Sequence, residues 1–135
     1  MKTILSLVLT LTFATCASAA ARRTVASWYG EEHRGKLMAN GQPFDPDKLT
    51  AASWFYPLGT QVRVTLKSAP SVNSSPPSVV VTITDRGPAR RLVRQGRKID
   101  LAEAAFKQLA HPGLGLVEVI IAPERPPVSP PAGRM

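Results

Sequence analysis

The stretch "SVVVTITDRGPARR", residues 78–91, decides the fold of this chain. It opens with a run of mostly β-branched residues, the composition that favours a pleated strand. Asp85 ends this run, and Gly87-Pro88 follows it as a stop signal. Alternation with period two places Asp85 on the same face as Ile83, which we expect to be the apolar face. Two roles are open for Asp85: accepting hydrogen bonds within the turn, or exchanging a proton with a substrate.

Outward from this stretch, three more segments show the alternation of apolar and polar residues that predicts a strand. They are "TVASWYG" (residues 24–30), "TQVRVTL" (residues 60–66) and "GLVEVIIAP" (residues 115–123). In the second of these, Val62, Val64 and Leu66 share one face. Loop-forming residues, with Asn40-Gly41 as a turn, separate the first two strands. The chain is therefore expected to be mostly β.

One short helix is predicted over residues 101–109. Leu101, Ala105 and Leu109 recur at helical intervals, and Asp100 precedes them as the expected N-cap. Many short strands with a single small helix favour a compact barrel over a doubly wound parallel sheet.

Both ends of the chain differ in composition from the middle. Residues 1–21 have a charged start, an apolar run too short to span a bilayer and small residues at the end, as in a removed signal peptide. Cys16 lies in this leader; lipid attachment there is the alternative, but Thr15 directly before it is a poor match to a lipoprotein signal. Residues 123–135 contain five prolines and are predicted to be a disordered tail. We expect one domain, residues 22–122, that is periplasmic or secreted and carries no lipid at Cys16.

The chain is strongly basic, with 17 Lys and Arg against nine Asp and Glu. Such a balance favours anionic partners, and export argues against nucleic acid. The basic residues cluster in one segment, at Arg86, Arg90, Arg91, Arg94, Arg97 and Lys98. This segment is either a solvated loop or a rim that holds an anionic wall polymer beside a binding site.

Five motifs occur in one order along nearly the whole domain. They are "ASWYG", "ANGQPFDPDKLTAAS", "PLGTQVRVT", "VVVTITDRGP" and "GRKIDLAEAAFKQL". Together they resemble the motifs of the rare lipoprotein A family. The resemblance implies a six-stranded double-psi β-barrel and the activity of a septal lytic transglycosylase.

The reaction that this resemblance implies is a lyase reaction on peptidoglycan glycan strands. An acid protonates the oxygen between N-acetylmuramic acid and N-acetylglucosamine, and then helps the muramic C6 hydroxyl to close a 1,6-anhydro ring. One carboxyl group can serve both steps, whereas hydrolases commonly use two. Asp85 matches the catalytic aspartate of the family.

Two positions depart from the family pattern. Gln42 and Ser53 stand where relatives usually have glutamate and histidine, so neither can carry charge or relay a proton in the same way. The resemblance leaves them as substrate-binding groups, together with Tyr29 and Arg86. Two functions stay open: a lytic transglycosylase acting through Asp85, or a non-catalytic barrel that binds the wall polysaccharide.

Several other residues have both a structural and a functional interpretation. Four aromatic side chains can pack in the barrel or stack on sugars: Trp28, Tyr29, Trp54 and Tyr56. Asp45 is expected to cap the "FDPD" turn. His33 and His111 are far apart and have no neighbours at ligand spacing, so we expect no metal site and no cofactor. We also expect a monomer.

Overall fold

The computed structural model describes residues 21–124. The predicted leader, with Cys16, and nearly all of the predicted tail lie outside these residues. None of the helices within 21–124 is long and apolar enough to cross a membrane.

Six strands form one closed barrel, as predicted. They are β1 (Arg22–Tyr29), β2 (Thr50–Ala52), β3 (Gln61–Leu66), β4 (Ser78–Asp85), β5 (Arg97–Ala102) and β6 (Val117–Pro123). Their order around the barrel is β1-β5-β2-β4-β3-β6, and β6 pairs with β1 to close it. The β1–β5 and β2–β4 pairs are parallel, and the remaining pairs are antiparallel.

The barrel interior is filled by alternate residues of the long strands. On β4, Val79, Val81 and Ile83 all point inward and are buried. On β3, Val62 and Val64 are fully buried as predicted, while Leu66 at the strand end is only half-buried. Burying each such side chain stabilises the fold by about 1.5–3 kcal/mol. Apolar burial within the barrel therefore supplies most of the stability.

Two short α-helices lie outside the strands: α1 (Arg90–Arg94) and α2 (Glu103–Lys107). Single 3-10 turns occur at Glu31–His33 and Pro112–Leu114. The α2 helix contributes Phe106, which is fully buried against the barrel core.

The predicted helix over residues 101–109 was wrong at both ends, and Asp100 is not its N-cap. Asp100 lies within β5, and the N-cap of α2 is Ala102, which makes no side-chain capping bond. Leu101 pairs with strands on both sides, namely β1 and β2. Two hydrogen-bonded ladders and the burial of Leu101 outweigh the local helical pattern, because tertiary context overrides intrinsic propensity.

Candidate active site

A row of four paired residues crosses the barrel wall. Ser27 on β1 pairs with Asp100 on β5, Asp100 pairs with Ala52 on β2, and Ala52 pairs with Asp85 on β4. Residues paired directly across a sheet point to the same side, so the two carboxylates flank the small Ala52 side chain. Two strand spacings place their Cα atoms about 9.5 Å apart. The space above the Ala52 methyl group is therefore bordered by an acid on each side.

This row opens into a cavity of about 290 Å³. Its lining comes from four strands (β1, β2, β4 and β5), the 3-10 turn after β1 and the turn after β4: Tyr29, His33, Ala52, Asp85, Arg86, Gly87, Pro88, Ala89 and Asp100. Three of the residues predicted from the sequence, Asp85, Tyr29 and Arg86, are thus brought together, and Asp100 joins them.

Asp85 reaches the cavity because of a bulge. The pairing of β2 with β4 shifts by one residue, from Ala51 with Ile83 to Ala52 with Asp85. Ile83 is fully buried in the core, whereas Asp85 is half-buried and lines the cavity. The prediction that Asp85 shares the face of Ile83 was therefore wrong, since the bulge turns Asp85 off the core face.

The Asp85 carboxylate is held by two backbone donors. Its Oδ1 accepts hydrogen bonds from the amides of Ala39 (2.9 Å) and Arg86 (2.8 Å). Its Oδ2 has no hydrogen-bond partner among residues 21–124. The side chain therefore serves the turn with one oxygen and leaves the other available to a ligand in the cavity.

Asp100 is the other acid of the cavity, and its surroundings differ from those of Asp85. The Ser27 hydroxyl donates a hydrogen bond to its Oδ1, and an Arg97 nitrogen lies 3.7 Å from the same oxygen. Burial raises the pKa of Asp100, Arg97 and His33 oppose that shift, and the charge of Asp85 adds to it. The local environment therefore favours the protonated form of Asp100 relative to an exposed aspartate.

The turn after β4 passes close to Ala52 and to Asp100. A Cβ atom placed on Gly87 would lie 3.4 Å from Cβ of Ala52 and 3.7 Å from Oδ2 of Asp100. Both distances are ordinary van der Waals contacts. The Asp100 oxygen that Ser27 does not bind therefore faces the turn that begins at Asp85.

Tyr29 contributes an unpaired hydroxyl group. Its ring stacks on Phe44, with centroids 4.2 Å apart, and meets His33 edge-on at 5.6 Å. Its buried hydroxyl oxygen has no hydrogen-bond partner among the described residues. Burial raises the pKa of Tyr29, and Asp85 and Asp100 raise it further. The group is therefore a neutral donor or acceptor held rigidly at the cavity wall.

Arg86 faces inward for a structural reason. Its Nη1 donates to the carbonyl oxygens of Ser53 (2.8 Å) and Tyr56 (2.6 Å). This clamps the segment after β2 against the turn after β4. The predicted substrate contact of Arg86 has to use its other nitrogens, because Nη1 is already bonded twice.

The structure does not bring Ser53 or Gln42 into this cavity. Ser53 is fully buried, and its hydroxyl accepts a hydrogen bond from the Phe55 amide (3.1 Å). Gln42 is exposed and lines a different cavity of about 210 Å³, together with Asp45 and Thr84. Both positions are thus separated from the space between the two acids.

The remaining predictions from the sequence concern Asp45, the aromatic residues and a metal site. Asp45 caps its turn as predicted, because its Oδ1 accepts from the Asp47 amide (2.9 Å). Of the four aromatic residues, Trp28 and Tyr56 pack against the core, Tyr29 lines the cavity, and Trp54 is exposed. Within residues 21–124, no three His, Cys, Asp or Glu side chains are grouped so as to hold a metal ion.

Comparison with known sequences gives one family and several relatives. The model of the lytic transglycolase family matches residues 21–121. An uncharacterized protein of Synechocystis sp. is 40% identical over 96 residues, covering 71% of this chain and 91% of that protein. The endolytic peptidoglycan transglycosylase RlpA of Yersinia pestis is 44% identical over 85 residues, or 63% of this chain. A probable RlpA of Synechocystis sp. is 39% identical over 98 residues, or 72% of this chain.

The chain spans 27% of that Synechocystis RlpA and 21% of the Yersinia protein. Two solved structures share the fold at low identity. A Streptomyces papain inhibitor superposes with a TM-score of 0.56 and 24% identity, covering 78% of this chain and 96% of its own. An expansin of Clavibacter michiganensis superposes with a TM-score of 0.56 and 21% identity, covering 82% of this chain and 54% of its own. The chain therefore belongs to the lytic transglycolase family and has the fold of a double-psi β-barrel.

Proposed function

We propose that this chain is an endolytic peptidoglycan lytic transglycosylase that acts outside the cytoplasm through Asp85. The observation that carries the proposal is the pair of acids, Asp85 and Asp100, on either side of Ala52 at one cavity. The relatives named as endolytic transglycosylases support the choice of substrate. Because those relatives are several times longer than this chain, the activity of this chain is inferred from its own site.

The proposed reaction consumes no water. Asp85 Oδ2 carries a proton to the oxygen that links C1 of N-acetylmuramic acid to the next sugar, and the C1–O bond breaks. The positive charge that develops at C1 is met by the C6 hydroxyl of the same sugar, which attacks C1. Asp85, now a carboxylate, takes the proton of that hydroxyl, so the 1,6-anhydro ring closes and Asp85 is ready for another cycle.

Asp100 and Tyr29 have supporting roles in this scheme. When Asp100 is ionised, its charge on the far side of Ala52 stabilises the positive charge that develops at C1. The unpaired Tyr29 hydroxyl hydrogen-bonds a sugar oxygen and fixes the ring. Asp100 thus supplies the second acidic group that Gln42, exposed at another cavity, does not.

The proposal is tested by digesting purified sacculi and peptide-free glycan strands, with mass analysis of the soluble products. The wild-type protein should release fragments that end in 1,6-anhydromuramic acid. Asp85→Asn keeps the size of the side chain and removes the exchangeable proton, so it should lower that rate about 100- to 10,000-fold. An equal rate in Asp85→Asn excludes Asp85 as the acid.

The second candidate function is a non-catalytic barrel that binds the wall polysaccharide. It is favoured by the positions of Ser53, which is fully buried, and Gln42, which lies at another cavity. Strand binding by the wild-type protein without any anhydro product would establish it. Ser53→His is not a useful restoration in this fold, because a larger ring at this buried site should cost about 1–3 kcal/mol of stability.

A further inference from the structure

A strip of aromatic and basic side chains, all exposed except the half-buried Lys98, leads away from the cavity. Trp54 and Phe55 follow β2 and are 42% and 38% exposed. The Arg90 guanidinium carbon lies 4.6 Å from the centre of the Trp54 ring. Arg22 and Lys98 each lie 5.5 Å from the centre of the Phe55 ring. We call these five residues the aromatic–basic strip.

The two aromatic residues are held rigidly. The Trp54 indole N–H donates to the carbonyl oxygen of Pro88 (2.8 Å), and Pro88 itself lines the cavity. The Arg86 clamp binds the carbonyls of Ser53 and Tyr56 on either side of them. Because these side chains are already fixed, a ligand that covers the rings loses little affinity to ordering them, and the entropic cost of binding is low.

The positive charge of the strip is not neutralised within the protein. Among residues 21–124, no carboxylate lies within salt-bridge distance of Arg22, Arg90 or Lys98. By contrast, Arg63 on β3 and Lys67 directly after it are paired with Glu124 and Glu118. Each strip cation lies over an aromatic ring, a cation–π contact that is favourable at an exposed site. The contact orients the cations and leaves their N–H groups available to an anion.

We propose that the aromatic–basic strip binds the peptidoglycan strand beyond the bond that is cleaved. Aromatic faces suit sugar rings, and the cations suit carboxylates. A peptidoglycan strand carries both on one polymer, since its sugars bear lactyl or stem-peptide carboxylates. The Trp54–Pro88 bond makes the strip continuous with the cavity, so one extended strand contacts both. This inference rests on the proposed function for the identity of the polymer.

The test compares two double variants, each of which removes two positive charges. The strip variant, Arg90→Gln with Lys98→Gln, removes two of the three cations of the strip. The β3 variant, Arg63→Gln with Lys67→Gln, removes two cations in and directly after β3 that are already paired with carboxylates. Both are made in an Asp85→Asn background so that strands are not cut. The strip variant should bind soluble glycan strands about 2- to 30-fold more weakly at low salt, as expected for two exposed ion pairs. The β3 variant should bind them like its parent.

Salt and a neutral probe separate the two kinds of contact. The deficit of the strip variant should shrink at high salt, because screening weakens exposed charge pairs. A chitin oligosaccharide of matched length has no carboxylate, so its binding should be unaffected by the charge variants. Phe55→Ala should weaken both the charged and the neutral chain, while Leu114→Ala, an exposed apolar control on the 3-10 turn before β6, should weaken neither.

Two outcomes overturn the inference. One is equal strand affinity for the strip variant and the β3 variant at low salt. The other is tighter, strip-dependent binding of a poly(glycerol phosphate) chain than of glycan strands, which would assign the strip to a phosphodiester polymer. Neither result depends on turnover. If the wild-type protein makes no anhydro product but strands still bind through the strip, the proposed activity fails and the strip assignment stands.

Discussion

Ser27 and Asp100 face each other across the parallel pair of β1 and β5, and the Ser27 hydroxyl donates a hydrogen bond to Oδ1 of Asp100. This bond stabilises the ionised form of a carboxyl group whose pKa is raised by burial. Asp100 lines the cavity, and its ionised form is therefore stabilised by Ser27, which does not line the cavity.

Ser27→Ala should lower the free energy of unfolding at neutral pH by about 1.5–3 kcal/mol, the usual worth of a hydrogen bond to a charged group. The loss should be smaller in acid, where Asp100 is protonated. Thr24→Val is the matched control, since the Thr24 hydroxyl bonds the Gly96 carbonyl (2.8 Å) in the same region without a titratable partner. Urea unfolding from pH 3.5 to 7 checks this, and an equal pH dependence for both variants would contradict it.

Asp100→Asn should flatten the dependence of stability on pH. The folded-state pKa of Asp100 lies above its ordinary value of 3.8, so the native state binds more protons than the unfolded state between the two values. The contribution of Asp100 to stability is therefore complete below about pH 4 and is lost as pH rises through the folded-state pKa. Wild type should lose stability relative to Asp100→Asn over that range.

The same substitution should reduce turnover about 100-fold, because it removes a charge aimed at the developing cation. Asp47→Asn is the control, since Asp47 is an exposed carboxylate paired with Arg34 away from the cavity. Unfolding and anhydro-product assays on the same preparations separate the two effects. If wild type instead gains stability relative to Asp100→Asn as the pH rises above 4, the folded-state pKa of Asp100 is lowered and not raised.

The position of Asp100 shows where sequence patterns stop being informative. Residues 97–102 contain an apolar alternation at Ile99 and Leu101, which is the signal that could have indicated a strand. The helical spacing of Leu101 with Ala105 competes with it, and only pairing with β1 and β2 decides between them. Asp85 was found because it ends a long strand within a recognised motif. Its partnership with Asp100 is a matter of register across three strands, β5, β2 and β4, which no local pattern reports.

The other strands also divide into those with a local sequence pattern and those defined by pairing with their neighbours. The four that alternate over several residues, β1, β3, β4 and β6, were predicted from their own patterns. The β2 strand has only three residues, Thr50–Ala52, which is too short for a period to be recognised. The β-bulge that turns Asp85 away from Ile83 depends likewise on the partner strand. Local sequence therefore predicts the long strands, and tertiary pairing builds the cavity.

Arg86→Met should loosen the segment that carries Trp54 and Phe55. It leaves the carbonyls of Ser53 and Tyr56 without their donor, at a cost of about 1–3 kcal/mol. Hydrogen exchange should become faster in peptides that cover residues 53–58. Arg90→Met is the control, because Arg90 covers the Trp54 ring and makes no such bond. Unchanged exchange in Arg86→Met would mean that the clamp does not order the segment.

Tyr29→Phe should separate stability from function. The Tyr29 hydroxyl is buried without a partner among the described residues, so removing it should leave the free energy of unfolding unchanged or raise it by up to about 1 kcal/mol. Binding of a sugar at the cavity should nevertheless weaken, because in the proposed scheme this hydroxyl hydrogen-bonds the sugar. We expect about a 5- to 10-fold loss of strand affinity, the worth of one neutral hydrogen bond.

Tyr56→Phe is the matched control for this prediction. Its hydroxyl is also buried and has no partner within residues 21–124, but Tyr56 packs against the core and does not line the Asp85 cavity. Both variants should therefore be at least as stable as wild type in thermal and urea unfolding, while only Tyr29→Phe loses affinity. If both lose affinity equally, the effect is a general one on the barrel. If Tyr29→Phe binds strands as tightly as wild type, the Tyr29 hydroxyl does not contact the ligand.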